Sequence, residues 1–248
     1  WLISDATGLM ESLRSIKSSF ETHCIRTACN AASEAFRQLP EKLKKLYSEQ
    51  GWVTERDVQR IVRTSILDAG ADAAPYVMVQ SGQGGYDNIV MEPTERVLRV
   101  GDVLVVDVGC VYRGYWSDFD RNFCIGKLTD RLEKANAILW EATEAGFELL
   151  KQGESTASAL YAEMVRVMGS EQPVGRFGHG LGLQLTEHFS ILPTDNTRLL
   201  AGMVLTLEPG LELGDGKILV HEENVALTAS GPVWLSKRID RDLVVIEF

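Results

Sequence analysis

The stretch GDVLVVDVG, residues 101–109, reads as a strand covered on both faces and then breaks its own pattern. Val103, Leu104, Val105 and Val106 leave no polar face, as in strands buried on both sides, yet Asp107 follows where another apolar residue is expected. GMVLTLEPG, residues 202–210, says nearly the same thing in the second half of the chain, with Glu208 in the place of Asp107. An acid at the end of a buried strand, placed twice, needs one explanation for both.

Each acid opens a hairpin. Downstream of Asp107 lies the turn signal Arg113-Gly114, and a turn centred between Tyr112 and Arg113 sets Asp118 opposite Asp107, with Cβ atoms about 5 Å apart. Downstream of Glu208, a turn centred on Asp215 between Gly214 and Gly216 sets Glu222 opposite Glu208. Asp120 and Glu223 are expected to alternate away, as solvent-facing groups or as supports behind the other acids.

Opposed like charges repel, and burying an ionised carboxylate without a partner costs several kcal/mol or drives it to its neutral form. Divalent cations remove the conflict, because carboxylates that bridge two ions about 3.5–4 Å apart fit cross-strand spacing. Asp107, Asp118, Glu208 and Glu222 are therefore read as metal ligands. GRFGHGLGL, residues 175–183, adds His179 between Gly178 and Gly180, where the backbone can approach another element closely. Four carboxylates with one imidazole suit manganese, iron or cobalt as well as zinc, unlike the thiolate cages of structural zinc.

Around these strands the chain repeats an order of helix, helix, strand and acid-bearing hairpin. Leu13, Ile16, Phe20, Cys24, Ala28, Ala31 and Ala35 predict one long helix over about residues 8–38, ended by Pro40. Thr54 with Asp57 caps a second, which carries Val58, Ile61, Val62 and Ile66 inward and stops at Gly70. Tyr76 to Gln80 reads as a strand. In the second half, Thr129 and then Ser155 or Thr156 cap two further helices, and strand-like segments run from Phe177 to Ile191, Met203 to Leu213 and Lys217 to Leu227. This is an internal duplication within one α+β domain sharing one core. The glycine-rich SGQGGYDN, from Ser81, lacks a following helix and a Lys-Ser/Thr ending, so it reads as a loop near a cleft rather than a phosphate cradle.

At 248 residues with 45% apolar and 24% charged content, the chain can bury a substantial core. A formal net charge of −10 disfavours nucleic acid and anionic membrane as partners. No run is apolar enough to span a membrane, and Cys24, Cys29, Cys110 and Cys124 lack zinc-site spacing, which fits reduced thiols in a cytoplasmic protein.

The order Asp107, Asp118, His179, Glu208, Glu222, in the settings VDVG, SDFDR, GHGLGL, LEPG and HEENV, resembles the pita-bread metallopeptidases: methionine aminopeptidase, prolidase, aminopeptidase P and their non-peptidase relative creatinase. The resemblance runs from the first helix to Thr228. It implies a curved antiparallel sheet with two helix pairs on its outer face, an internal pseudo-two-fold, and two divalent ions on the concave side. It further implies that Asp107 holds one ion, that Asp118 and Glu222 bridge, and that His179 and Glu208 complete the second. Glu208 and His179 become the residues expected to act in catalysis, with Glu208 the acid/base partner of a metal-activated water that attacks an amide of a short peptide, as in Xaa-Pro dipeptidases.

Two departures stand out. The peptidases carry a second His seven positions after the ligand, where this chain has Thr186, and another before the first acid-bearing strand, where the segment Asn88–Val90 has none. Thr186 is therefore a substrate-binding candidate, and so is His188, which strand alternation places on the same side. His221 should point away from the acids, and His23 reads as a surface or packing residue. The alternatives are a creatinase-like enzyme acting on a small polar metabolite, although creatinase lacks the metal set, and a catalytically silent binding module. Residues 1–248 are read as one catalytic domain of a homodimer. Proline-specific members carry a further N-terminal domain, so these residues are compatible with the C-terminal part of a longer chain.

Overall fold

The amphipathic pattern at the start of the chain forms two helices rather than one. In the computed structural model, which describes residues 3–248, these are α1 (Thr7–Ser15) and α2 (Ser19–Gln50). Ser18 breaks the pattern: its hydroxyl accepts from the Glu21 N–H at 3.3 Å, and the Glu21 carboxylate accepts from the Ser18 N–H at 2.7 Å, a reciprocal cap that starts a new helix. Pro40, expected to end the helix, lies within it. Its missing N–H forfeits one helical hydrogen bond, and the buried side chains Phe36, Leu39 and Leu43 around it offset that loss. The end comes at Gly51, whose left-handed φ of 83° lets its N–H reach the Tyr47 carbonyl at 2.7 Å.

The other helices start where their caps predict. Thr54 and Asp57 cap α3 (Glu55–Asp68), Thr129 caps α4 (Asp130–Lys151), and Thr156 rather than Ser155 caps α5 (Ala157–Met168). Strands β1 (Ala73–Gln83), β2 (Asp102–Tyr112), β3 (Tyr115–Trp116) and β4 (Phe119–Ile125) belong to the first half, and β5 (Ser155–Thr156) precedes α5. The second half continues with β6 (His179–Gly180), β7 (Glu187–Ser190), β8 (Arg198–Leu199), β9 (Val204–Leu207), β10 (Gly210–Gly214), β11 (Lys217–Val220), β12 (Glu223–Thr228), β13 (Gly231–Trp234) and β14 (Val244–Ile246). Only short pieces of the Phe177–Ile191 segment are strand.

One sheet has the order β1, β2, β4, β14, and the other β13, β12, β9, β6, β7; all their pairings are antiparallel except β14 with β4. Helices α2 and α3 pack together over the first sheet, while α4 and α5 pack together in the second half. Two hydrophobic clusters result, and they interleave. Leu104, Val106 and Val108 of β2 join the cluster under α2 and α3, whereas Val103 and Val105 join the cluster of α4 and α5. The uninterrupted apolar run of β2 is thus explained by burial on both faces, and Asp107 continues the face that meets the second half.

The two turns differ in how closely they follow the sequence pattern. The second hairpin pairs Gly210 with Val220 and Glu212 with Ile218, a register centred on Asp215 as expected, with an irregularity between Glu212 and Gly214. The first is displaced: Asp107 pairs with Asp120 instead of Asp118. Its turn is the tight pair Arg113-Gly114, with φ of 50° and 84°, closed by Tyr112 opposite Tyr115. Because the displacement is an even number of residues, Asp118 stays on the same face as Asp107 and becomes its diagonal neighbour.

Candidate metal centre

The two acid-bearing hairpins meet at a cavity of about 390 Å³, lined by Asp107, Asp118, His179, Glu208 and Glu222 together. Asp107 arrives on β2, and Asp118 just before β4. Glu208 follows β9, and Glu222 lies between β11 and β12. His179 is on β6, where glycines allow the chain to come close. A Cβ on Gly178 would lie 2.2 Å from the Thr206 carbonyl oxygen, and one on Gly180 2.4 Å from that of His188.

The geometry defines how the imidazole is used. His179 Nδ1 lies 2.9 Å from the Gly180 carbonyl, which can only accept, so Nδ1 carries the proton and Nε2 turns a lone pair into the cavity. That Nε2 is 3.3 Å from Asp118 and 3.7 Å from Glu208. Ligand atoms of Asp118, His179 and Glu222 all lie within 4.8 Å of one another. Tyr76 donates to Asp107 Oδ2 at 3.0 Å.

Asp107 Oδ1 and Glu222 Oε1 are buried with no hydrogen-bond partner, which is unusual for carboxylate oxygens. Burial, then the Asp118 and Asp120 charges, pushes the Asp107 carboxyl well above its ordinary range. Burial and the charges of Asp118, Glu208 and Asp107 do the same to Glu222. Asp118 is raised by burial to about 6, although His179 opposes the shift. Burial lowers the basicity of His179, but Asp118 and Glu208 outweigh it and the net shift is upward. Protein groups leave the Asp107 and Glu222 oxygens without a partner, and divalent cations would bind them together with the His179 Nε2, so the donor set fits them.

Of the two places expected for the neighbouring acids, they take the buried supporting one rather than the solvent-facing one. Asp120 is fully buried and accepts from the Glu222 N–H at 2.8 Å, tying one hairpin to the other. Glu223 is also fully buried, paired with Arg121 at 3.1 Å and Arg238 at 2.9 Å, and accepts from Ser236. Neither faces solvent: Asp120 shares the face of Asp118 by strand alternation, and Glu223 has cations from two other segments around it.

Of the substrate candidates, Thr186 lines the cavity and His188 does not. His188 is 44% exposed and lies 3.7 Å from Glu11 of α1. The alternation argument fails there because the pairing of β6 with β7 shifts register between His179 and Gly180. Ile89 and Val90 line the wall where the peptidase pattern would place an imidazole. His221 is buried outside the cavity beside Arg238, and His23 is exposed. Sequence reasoning passed over Arg176, which lines the cavity, pairs with Glu208 at 3.0 Å and donates to Thr186 Oγ1 at 3.2 Å. Its place three residues before His179 was the available signal.

The model of metallopeptidase family M24 matches residues 23–229. The chain belongs to that family. This M24 chain is 29% identical to the Probable dipeptidase PepE of Mycobacterium bovis, in a match covering 97% of the chain and 63% of that protein. It is 28% identical to the Xaa-Pro dipeptidase of Pyrococcus furiosus, covering 95% of the chain and 67% of that relative. The crystal structure of dipeptidase PepE from Mycobacterium ulcerans matches the M24 chain with a TM-score of 0.87 at 28% identity, over 98% of this chain and 64% of that one. The chain therefore spans a little under two thirds of the PepE proteins it matches, and its fold is the pita-bread architecture of the family.

Proposed function

We propose that the protein is a metal-dependent dipeptidase of the Xaa-Pro type, with Asp107, Asp118, His179, Glu208 and Glu222 holding two divalent cations. The observation that carries this reading is the pair of buried, unpartnered oxygens on Asp107 and Glu222 beside an imidazole whose Nε2 faces the cavity acids. The family membership and the names of the relatives above support the reaction class. Bound there, divalent ions supply Lewis acidity to an amide carbonyl and lower the pKa of water toward neutrality.

The chain's own residues supply the rest. Tyr76 fixes the orientation of Asp107 through its hydroxyl. Glu208, with a side chain 16% exposed, is the acid most open to the cavity and is suited to hold and pass a proton. The apolar wall formed by Ile89, Val90, Leu185 and Ile218 excludes water and accepts an apolar or prolyl side chain. Residues 1–248 act in this reading as one catalytic domain, supported by the interleaving of the two hydrophobic clusters.

The test is hydrolysis of a panel of Xaa-Pro and other dipeptides by protein loaded with manganese, iron, cobalt or zinc. Cleavage that is lost on chelation and in Glu208→Gln supports the proposal. Bound metal with every peptide intact would replace it by the small-metabolite enzyme.

A further inference from the structure

Strand alternation gives the first sheet a second face with a cavity of its own. Asp118 and Asp120 point toward the acids of the second half, whereas Phe119, Arg121 and Phe123 point toward α2, where Arg121 lies over the Phe36 ring. On that side, behind the metal centre, is a crevice of about 310 Å³. Phe36 and Pro40 of α2 line it, with Phe123 of β4 and with Ile239 and Val244 of the C-terminal segment. An apolar hollow of this size is within the range of small-molecule sites, about 300–1,000 Å³.

Its rim is cationic, in a chain whose formal net charge is −10. Arg37, Arg121, Lys237 and Arg238 all line the crevice. Glu34 holds Arg37, Glu223 holds Arg121, and Arg238 is shared between Glu144 and Glu223. Lys237 is left over. Its backbone is fixed across the crevice, since its N–H donates to Ser33 Oγ on α2 at 3.2 Å and its carbonyl accepts from Arg121 at 2.8 Å. Its ammonium makes no hydrogen bond or ion pair among the described residues, and the carboxylate that feels its charge, Glu34, is already engaged by Arg37. One surplus positive charge matches a monoanion, and the apolar wall calls for a carbon body rather than an inorganic ion.

We propose that this crevice binds a small monocarboxylate with an apolar body, its head on the Lys237 ammonium and its body among Phe36, Phe123, Ile239 and Val244. The site is separate from the metal cavity and does not depend on the dipeptidase reading. Arg121, bonded to the Asp120 and Glu222 carbonyls, stands between the two.

The experiment titrates manganese-loaded wild type, Lys237→Gln and Val244→Trp calorimetrically with octanoate and with octanamide, its neutral counterpart, after thermal melts confirm folding. A ligand of this size is expected to bind wild type with a Kd on the order of 1 mM. Octanoate should bind about threefold to tenfold more tightly than octanamide at low salt, because the ammonium is solvent-accessible and its attraction is partly screened. That preference should vanish in Lys237→Gln. Val244→Trp, which adds an indole to the wall, should abolish binding of both ligands. Equal affinities for acid and amide in wild type, or octanoate binding unchanged in both variants, would overturn the proposal. Octanoate binding that is lost on chelation yet intact in Val244→Trp would put the carboxylate on the metal ions and overturn it equally, as would no binding to wild type at all.

Discussion

The Asn224 side chain holds both backbone groups of Asp118. Its Oδ1 accepts from the Asp118 N–H at 2.9 Å, and its Nδ2 donates to the Asp118 carbonyl. Asn224 lies on β12 and Asp118 just before β4, so one amide joins the two halves at the candidate metal centre. Cys29 Sγ on α2 donates to the same Oδ1 at 3.2 Å, and the Asn224 N–H donates to Ser236. All of this is buried.

Asn224→Ala leaves the Asp118 amide and carbonyl unpaired in the interior. The expected loss is about 2–4 kcal/mol in stability by urea denaturation, together with a tenfold to hundredfold weaker metal affinity by titration. Asn224→Asp, which cannot donate to the Asp118 carbonyl, should fall between wild type and Ala in affinity.

Arg121 fixes Glu222 from behind. It donates to the Asp120 and Glu222 carbonyls at 2.6 and 3.1 Å and pairs with Glu223 in the same buried layer. Arg121→Met removes one partner of a buried ion pair while leaving the other in place, which is expected to cost about 3–5 kcal/mol. The double variant Arg121→Met with Glu223→Gln should recover part of that loss in the same denaturation measurement.

Gly178→Ala tests the close approach beside His179. The added Cβ meets the Thr206 carbonyl oxygen at 2.2 Å, and the φ of 142° is one that other residues rarely adopt. A loss of about 2–4 kcal/mol is expected, with weakened metal binding because the strand bearing His179 must shift.

The stabilisation conferred by metal should depend on pH in a definite direction. Burial and neighbouring acids raise the Glu222 and Asp107 carboxyls, and burial holds Asp118 near 6. A carboxyl whose folded pKa exceeds its unfolded value contributes stability below the unfolded value and loses it as pH rises through the folded one. Metal binding requires the ionised forms and acts in the opposite sense. The gap in Tm between manganese-loaded and chelated protein should therefore be small near about pH 5 and widen through about pH 6 to 8. A gap that stays constant over that range would count against the site.

Much of this arrangement was readable in the sequence because local rules and packing agree there. Gly214, Asp215 and Gly216 define a turn whose register carries Glu208 opposite Glu222, and Thr54 with Asp57 caps α3 as their spacing implies. The first hairpin was misjudged because a non-glycine residue, Arg113, takes a left-handed conformation in the tight turn; the error is even, so the acids kept their common face. Pro40 follows the opposite logic, since buried neighbours override a local breaker. His188 was misplaced because a register shift between short strands is invisible in an alternation count. The roles of Asp120, Asn224 and Arg121 rest on partners about a hundred residues away, and no short-range pattern encodes such contacts.

The most direct test is the number of manganese ions bound per chain at equilibrium, measured by elemental analysis after chelation and dialysis against the metal. The convergence of four carboxylates and one imidazole on one cavity predicts about two ions per wild-type chain, and loss of both in Asp107→Ala and in Glu222→Ala. A folded wild-type chain that takes up no ion at saturating manganese would contradict it.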